Sequence, residues 1–242
     1  MCAFFADLWY TNCGDDMTTI NAVIHGFAGG RHEMQPLLDY FSEKGRNTHF
    51  VTLKGHDATR KELACSRRDE WVQAAYRELK ILCDTYDRVN LIGFSMGGLV
   101  SAHIASRLPI NHLVFINTPI YYWDFNNMCA NLKQDFQQKS NRYLKMYAKN
   151  CVDKPISSLL QFVAFLNGSK KVFNQVACDT LIIQSRDDDT VKHKSARYIY
   201  DHLSGRKKLI YFARGGHQIL NSESSLGVCE EIDSFLTSNE LL

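Results

Sequence analysis

Three kinds of pattern are missing from this sequence of 242 residues, and each absence excludes a class of protein. None of its 8 cysteines is spaced as C-x-x-C, and no H-E-x-x-H occurs, which argues against a zinc or dithiol motif. No apolar run approaches the length that crosses a bilayer, so no membrane insertion is expected. The formal net charge is only +2, which indicates neither a nucleic-acid partner nor an anionic membrane surface.

The first residues carry no recognisable targeting signal. Residues 1–10 are rich in aromatics, lack a basic region and include the acidic Asp7, so a secretory signal peptide is not expected. Without one, the cysteines are expected as free thiols in a reducing cytoplasm. The segment 12–16 is typical of a turn, here one that joins two short edge strands within residues 1–17.

Strands alternate with helices along most of the chain, which predicts one α/β domain over residues 1–242. Hydrophobic residues make up 45% of the sequence, enough for a sizeable core. Predicted strands cover residues 19–25, 49–53, 89–92, 111–117, 181–184 and 207–212. Predicted helices cover residues 33–44, 191–203 and 224–236, and Asp69 is expected to cap a further long helix. Such alternation implies right-handed crossovers and a mostly parallel central sheet flanked by helices.

The alternation is interrupted once, by a helical segment at about residues 119–175 that is rich in aromatic side chains. These include Tyr121, Tyr122, Trp123, Phe125, Phe136, Tyr143, Tyr147, Phe162, Phe165 and Phe173. One interpretation is a set of extra helices with a core of their own. The other is a small helical cap that lines an apolar pocket. We expect both to hold, with most of these aromatics simply packing.

The most informative stretch is Gly93-Phe94-Ser95-Met96-Gly97, between a buried apolar run and a run with helical spacing. A strand that turns this sharply into a helix leaves no room for side chains two residues either side of the corner, where glycines stand. Ser95 Oγ then lies beside a helix N-terminus, whose N–H groups favour a negative charge. The pattern is that of a G-x-S-x-G nucleophile elbow, although a serine in an ordinary turn fits it as well.

A serine hydroxyl becomes a nucleophile when a base takes its proton, and candidates for the base and its orienting acid occur later in the chain. Asp187, Asp188 and Asp189 directly follow one predicted strand, and His217 follows the next. All would emerge at the same sheet edge as Ser95, in the order of an elbow-type triad. Taken separately, the aspartates could form a solvated turn and His217 could be an ordinary loop histidine. Their occurrence together, in this order and each after a strand, favours a catalytic triad.

An oxyanion needs donors already aimed at it. The backbone N–H of Met96, first in the elbow helix, is one candidate, and the N–H of Phe27 in the glycine-rich loop after the first predicted strand is the other. His25 and His56 lie in loops at the same edge. We interpret both as structural residues that brace their loops by hydrogen bonds.

These motifs resemble those of α/β-hydrolases, and more narrowly those of small bacterial carboxylesterases related to monoacylglycerol lipases. The matching stretches are His25-Gly26-Phe27-Ala28-Gly29, Lys54-Gly55-His56, Asp69-Glu70-Trp71, Gly93 to Gly98, Gln184 to Asp188 with Val191, and Gly216-His217. The resemblance implies an α/β-hydrolase fold with a small cap, no cofactor or metal, and a small-molecule ester as substrate. Substrate contacts are expected at Gly26, Phe27, Tyr121 and Trp123. One departure is Asp57, where the family usually has glycine.

The family pattern selects Asp188 as the triad acid, because the acid stands three residues before an apolar residue, here Val191. Val191 is expected to start the next helix. Asp189 then falls near that helix start, and Asp187 falls on the exposed side beside Arg186. Exchange of Asp187 or Asp189 for asparagine is therefore expected to cost little activity.

Three activities remain compatible with these residues. The first is hydrolysis of short- or medium-chain carboxylic esters by Ser95, His217 and Asp188 through an acyl-enzyme. Thioester hydrolysis or acyl transfer on the same residues is the second. The third is a non-catalytic binding protein on this fold, which would have no need to keep the complete set of three residues.

Overall fold

Six parallel strands form one sheet in the computed structural model, which describes residues 17–56, 59–122, 137 and 155–238. The strands are β1 (Thr19–Ile24), β2 (Thr48–Val51), β3 (Arg88–Phe94), β4 (His112–Ile116), β5 (Asp179–Ser185) and β6 (Lys207–Phe212). They lie in the order β2-β1-β3-β4-β5-β6. The predicted parallel α/β sheet is thereby confirmed, and the carboxyl ends of all six strands share one edge.

Helices cover both faces of the sheet. They are α1 (Arg31–Glu43), α2 (Arg60–Cys65), α3 (Arg68–Thr85), α4 (Met96–Ala105), α5 (Ile156–Ser169), α6 (Lys194–His202) and α7 (Ser225–Thr237). Two short 3₁₀ turns occupy Lys170–Gln175 and Ile219–Asn221. Helices α1 and α7 bury one apolar cluster against the sheet, whereas α3, α4, α5 and α6 bury a second cluster on the other face. The central strands β3 and β4 are therefore buried on both sides, as their continuous apolar runs predict.

Two helices begin earlier than the sequence pattern predicts. Helix α3 starts at Arg68 and not after an Asp69 cap, because the Glu70 carboxylate accepts the backbone N–H of Arg67 at 2.9 Å. Helix α1 starts at Arg31 after the extended Gly30, two residues before the predicted start. Asp69 lies in the first turn of α3, where its charge still favours the helix dipole.

The second half of the predicted cap segment packs into the body of the molecule. Phe162, Phe165 and Phe173 are buried, and Ser158 Oγ donates a hydrogen bond to the Leu63 carbonyl at 2.8 Å. Helix α5 is thus fixed against α2, α3 and α4. Residues 1–16, which hold the predicted turn and its edge strands, and most of the aromatic cap segment lie outside the described residues. In the part of the chain that the structure describes, no helix combines the length and apolarity needed to cross a bilayer.

The lowered pKa values of two histidines, His56 and His103, predict that the stability of the fold depends on pH. Burial, with smaller contributions from His25 and Arg107 respectively, lowers the pKa of His56 and of His103 from 6.5 to about 4. The unfolded chain therefore binds more protons than the folded one below pH 6.5. The contribution of these two histidines to the free energy of unfolding is fully present above pH 6.5, and it is lost as the pH falls towards 4.

We expect the free energy of unfolding in urea to drop by on the order of 3 kcal/mol from His56 alone between pH 7 and pH 4. The measurement is a set of urea transitions across that range. Replacement of His56 by phenylalanine should make the profile shallower and leave the contribution of His103, and replacement of the exposed His32 by glutamine should leave the profile unchanged. Identical profiles for wild type and His56→Phe would contradict this account.

Candidate active site

The strand-to-helix corner at Ser95 has the geometry that the glycine pattern predicts. Ser95 adopts φ 50° and ψ −120°, a strained conformation held by its N–H, which donates to the Ile116 carbonyl at 2.8 Å. A Cβ on Gly93 would lie 2.5 Å from Ser101 Oγ, and one on Gly97 would lie 2.4 Å from the Ile24 carbonyl oxygen. Both positions therefore require glycine, and the corner places Ser95 at the N-terminus of α4.

The structure brings His217 into contact with both predicted partners. Its Nε2 lies 3.0 Å from Ser95 Oγ, and its Nδ1 lies 2.9 Å from Asp188 Oδ2. The imidazole packs on the Phe94 ring, with ring centroids 5.2 Å apart. The side chain of His217 is 16% exposed while that of Asp188 is fully buried, so solvent reaches the histidine but not the acid.

Asp188 accepts hydrogen bonds from several directions. The backbone N–H groups of Thr190 and Val191 both donate to Oδ1 at 2.8 Å, and Gln184 Nε2 donates to Oδ2 at 3.3 Å. A carboxylate surrounded by donors acts as an acceptor only, so the His217 proton must sit on Nδ1. The Nε2 lone pair then faces the Ser95 hydroxyl, which is the tautomer that a general base needs.

The loop after Asp188 differs in detail from the sequence-based expectation. Val191 is buried, but it does not start a helix: it forms an isolated antiparallel bridge with Tyr122, and α6 begins only at Lys194. Asp189 is therefore too far from that helix to cap it. It is exposed, and its Oδ1 accepts the Thr190 hydroxyl at 2.9 Å.

Asp187 is exposed beside Arg186, as predicted, yet its carboxylate is engaged. It accepts the backbone N–H of Gly216 at 2.9 Å, that of Gly215 at 3.3 Å, and the Ser185 hydroxyl. The glycines belong to the loop that ends in His217. The exposed position of Asp187 agrees with the prediction, whereas its link to the histidine loop was not predicted.

The loop after β1 is braced by His25, in agreement with its predicted structural role. Its Nε2 accepts the Leu53 N–H at 3.2 Å, which leaves Nδ1–H to donate to the Gly26 carbonyl at 2.8 Å. This fixes the backbone just before Phe27. His56 is buried with its Nδ1 3.3 Å from the Lys54 carbonyl, and it stands 5.8 Å from the Phe27 ring.

Glu33 is a site residue that the sequence analysis missed. This carboxylate is only 7% exposed, and its Oε2 accepts the Gly26 N–H at 2.8 Å. Its Oε1 accepts Gln218 Nε2 at 2.8 Å. Glu33 therefore ties the loop that carries Phe27 to the residue after His217. An acidic residue among the apolar positions of α1 was the available signal.

Two other predicted contact residues have different outcomes. Tyr121 lies where the chain leaves the sheet edge: its N–H donates to Ser195 Oγ at 2.9 Å, and Lys194 Nζ stands 4.4 Å from its ring centroid. A substrate contact at Tyr121 stays a prediction. Trp123 lies outside the described residues.

Known proteins with similar sequences show which family this chain belongs to. A family model described as the alpha/beta hydrolase fold matches residues 23–147, slightly over half of the chain. The chain belongs to this family. The α/β-hydrolase is 25% identical over 239 residues to a carboxylesterase of Bacillus subtilis, covering 94% of this chain and 95% of that protein. It is 26% identical over 211 residues to a thermostable monoacylglycerol lipase of a Bacillus strain, covering 81% of each.

Solved structures resemble the α/β-hydrolase over nearly its whole length. A structure from work on two metagenome-derived lipolytic enzymes, LipS and LipT, superposes with a TM-score of 0.76 at 20% identity, covering 91% of this chain and 94% of that one. An esterase of Pyrococcus furiosus gives a TM-score of 0.64 at 20% identity, covering 91% and 80% respectively. At this identity the likeness shows the shared fold.

Proposed function

We propose that this α/β-hydrolase is a serine esterase that cleaves carboxylic esters of short or medium acyl chains through an acyl-enzyme intermediate. The observation that carries the proposal is the unbroken hydrogen-bonded series from Asp188 through His217 to Ser95, with bonds of 2.9 and 3.0 Å. The names of the relatives, a carboxylesterase and a monoacylglycerol lipase, support an ester as the substrate.

In the acylation half of the proposed reaction, Ser95 Oγ attacks the ester carbonyl carbon as His217 Nε2 takes the hydroxyl proton. Asp188 stays ionised and stabilises the imidazolium through Nδ1–H. The backbone N–H groups of Met96 and Phe27 are proposed to donate to the oxyanion that forms. When the tetrahedral intermediate collapses, the bond to the alcohol oxygen breaks and His217 Nε2–H protonates that oxygen.

Deacylation uses the same groups with water in place of the serine. His217 Nε2 takes a proton from water as its oxygen attacks the acyl carbon, and it then returns a proton to Ser95 Oγ as the carboxylic acid leaves. The free enzyme is thereby regenerated with neutral His217. A partly exposed imidazole suits this step because water must reach its Nε2.

Several aromatic side chains lie beside the loop that carries Phe27. They support the proposal that the site binds an apolar acyl group. The Phe27 ring stacks on Phe162 with centroids 5.0 Å apart and lies 6.0 Å from the Trp71 ring. Tyr122 packs edge-on against Phe162 at 5.8 Å. We propose that this group, together with the segment at about 119–175 as a cap, limits the length of the acyl chain.

Replacing Phe27 by alanine removes the ring but keeps the backbone N–H. We expect the ratio of kcat/KM for octanoate over butyrate p-nitrophenyl esters to rise roughly 10-fold, because the pocket gains room for a longer chain. Leu226→Ala, an exposed leucine of α7 that lies outside the proposed cap, is the matched control and should leave the ratio unchanged. An unchanged ratio in Phe27→Ala would remove Phe27 from the acyl pocket.

Turnover of p-nitrophenyl butyrate by the purified wild-type chain is the direct test of the proposed activity. We expect steady hydrolysis that follows an initial burst when deacylation is slower than acylation. A folded protein that does not hydrolyse this ester, or any p-nitrophenyl ester from acetate to octanoate, would contradict the proposal.

A further inference from the structure

The backbone of the loop that carries His217 is held on both sides by side chains from two other strand ends. On one side, the N–H groups of Gly215 and Gly216 donate to the Asp187 carboxylate. On the other, Asn117 Nδ2 donates to the Gly216 carbonyl at 3.1 Å and to the His217 carbonyl at 2.8 Å. The peptide groups next to the imidazole thus have fixed partners in both directions.

This loop needs external partners because its own sequence supplies little restraint. Gly215 has φ 143° and Gly216 has φ 58°. Glycine adopts these conformations readily, but it also adopts many others, so the residue type alone does not fix the loop. Neither residue has a side chain that could pack and fix the loop. The position of the His217 backbone therefore depends on the hydrogen bonds that the loop receives.

Asp187 and Asn117 both form hydrogen bonds with Ser185, the last residue of β5. Asn117 Oδ1 accepts the Ser185 N–H at 2.8 Å, and the Ser185 hydroxyl donates to Asp187 Oδ1. Asn117 is fully buried and takes a left-handed conformation, φ 45°, that few residue types tolerate. The strand that delivers Asp188 consequently also sets the place of the histidine loop.

We propose that Asp187 and Asn117 are positioning residues, which hold the His217 backbone so that its Nε2 stays within hydrogen-bond distance of Ser95 Oγ. The kinetic part of this inference rests on the proposed function. The two residues act through His217 and touch no reacting atom. They place the base, while Asp188 orients its ring.

The chemistry of Asp187 fits three donors and no acceptor. Its partners are one hydroxyl and two N–H groups, and an ionised carboxylate can accept all three. These bonds, first that from Ser185 and then that from Gly216, hold the pKa of Asp187 below its usual range. An asparagine in its place would turn an NH₂ group towards donors, so at least one of the loop contacts would be lost.

The test compares Asp187→Asn with Asp189→Asn, a matched control two residues away with the same change of charge. We expect Asp187→Asn to lower kcat for p-nitrophenyl butyrate roughly 10- to 100-fold, with KM within about 2-fold, because a base displaced by a fraction of an ångström loses rate and not substrate affinity. Asp189→Asn should keep wild-type kcat. This reverses the sequence-based expectation for Asp187 and retains it for Asp189.

A second measurement reads the loop itself. Amide hydrogen exchange of residues 213–218, followed by mass spectrometry, should quicken in Asp187→Asn and match wild type in Asp189→Asn. Wild-type kcat in Asp187→Asn, or wild-type exchange in that loop, overturns the positioning role. If the wild-type chain lacks esterase activity, the proposed function fails and loop exchange alone decides whether Asp187 holds the histidine loop.

Discussion

Exchange of Ser95 for alanine is expected to lower kcat for p-nitrophenyl butyrate by a factor on the order of 10³ to 10⁶. The variant keeps the binding site and the backbone donors of Met96, but it has no oxygen that can form an acyl-enzyme. Any remaining rate would come from water acting in the same pocket. The fold should be retained, because the substitution removes only one atom, the Oγ of the buried Ser95.

Ser106→Ala is the matched control for this loss. Ser106 follows α4, the same helix that begins just after Ser95, and its Oγ donates to the His103 carbonyl. It lies a whole helix away from His217, so its loss should leave kcat unchanged. An active Ser95→Ala protein would show that another group carries the reaction.

Exchange of Asp188 for asparagine should lower kcat by about 10⁴. The amide can donate to His217 Nδ1, which favours the tautomer with the proton on Nε2, and that tautomer cannot accept the proton of Ser95. The substitution also weakens the bonds from Thr190 and Val191, so loss of the loop would add to the effect.

The assay should use purified Asp188→Asn protein with a measured thermal midpoint, together with Asp189→Asn as the control. If Asp189→Asn is the inactive variant and Asp188→Asn works, the acid is misassigned despite its 2.9 Å contact with His217. Full activity in both variants would mean that the histidine needs no orienting carboxylate.

The strand-to-helix corner at Ser95 could be predicted because most of its requirements are local. Gly93, Ser95 and Gly97 stand within five residues, and the contacts that exclude a side chain at Gly93 are made with residues just after the corner. The contact that excludes one at Gly97 is with Ile24 of the neighbouring strand β1. The choice of Asp188 among three aspartates also depended on nearby residues, through the spacing to Val191. The structure agrees with the spacing, although Val191 anchors the loop through a bridge to Tyr122 and not as a helix start.

The supporting contacts could not be predicted because they join distant parts of the chain. Asn117 reaches His217 across 100 positions, and Glu33 reaches Gln218 across 185. In the sequence, Asn117 is simply the last residue of an apolar strand. Glu33 stands among the apolar positions of α1, a signal that does not name its partners. The sheet order, which brings β4, β5 and β6 side by side, makes the role of Asn117 visible, and the packing of α1 against the turn at Ile219–Asn221 makes that of Glu33 visible.

Covalent labelling with a fluorophosphonate tests the central claim most directly, because it reports an activated serine without depending on the natural substrate. The wild-type chain should gain one phosphonyl group, and peptide mapping should place it on Ser95. Ser95→Ala should gain none, and Asp188→Asn should react far more slowly. Labelling that persists in Ser95→Ala, or that maps to another serine in the wild type, would contradict the assignment of Ser95 as the nucleophile.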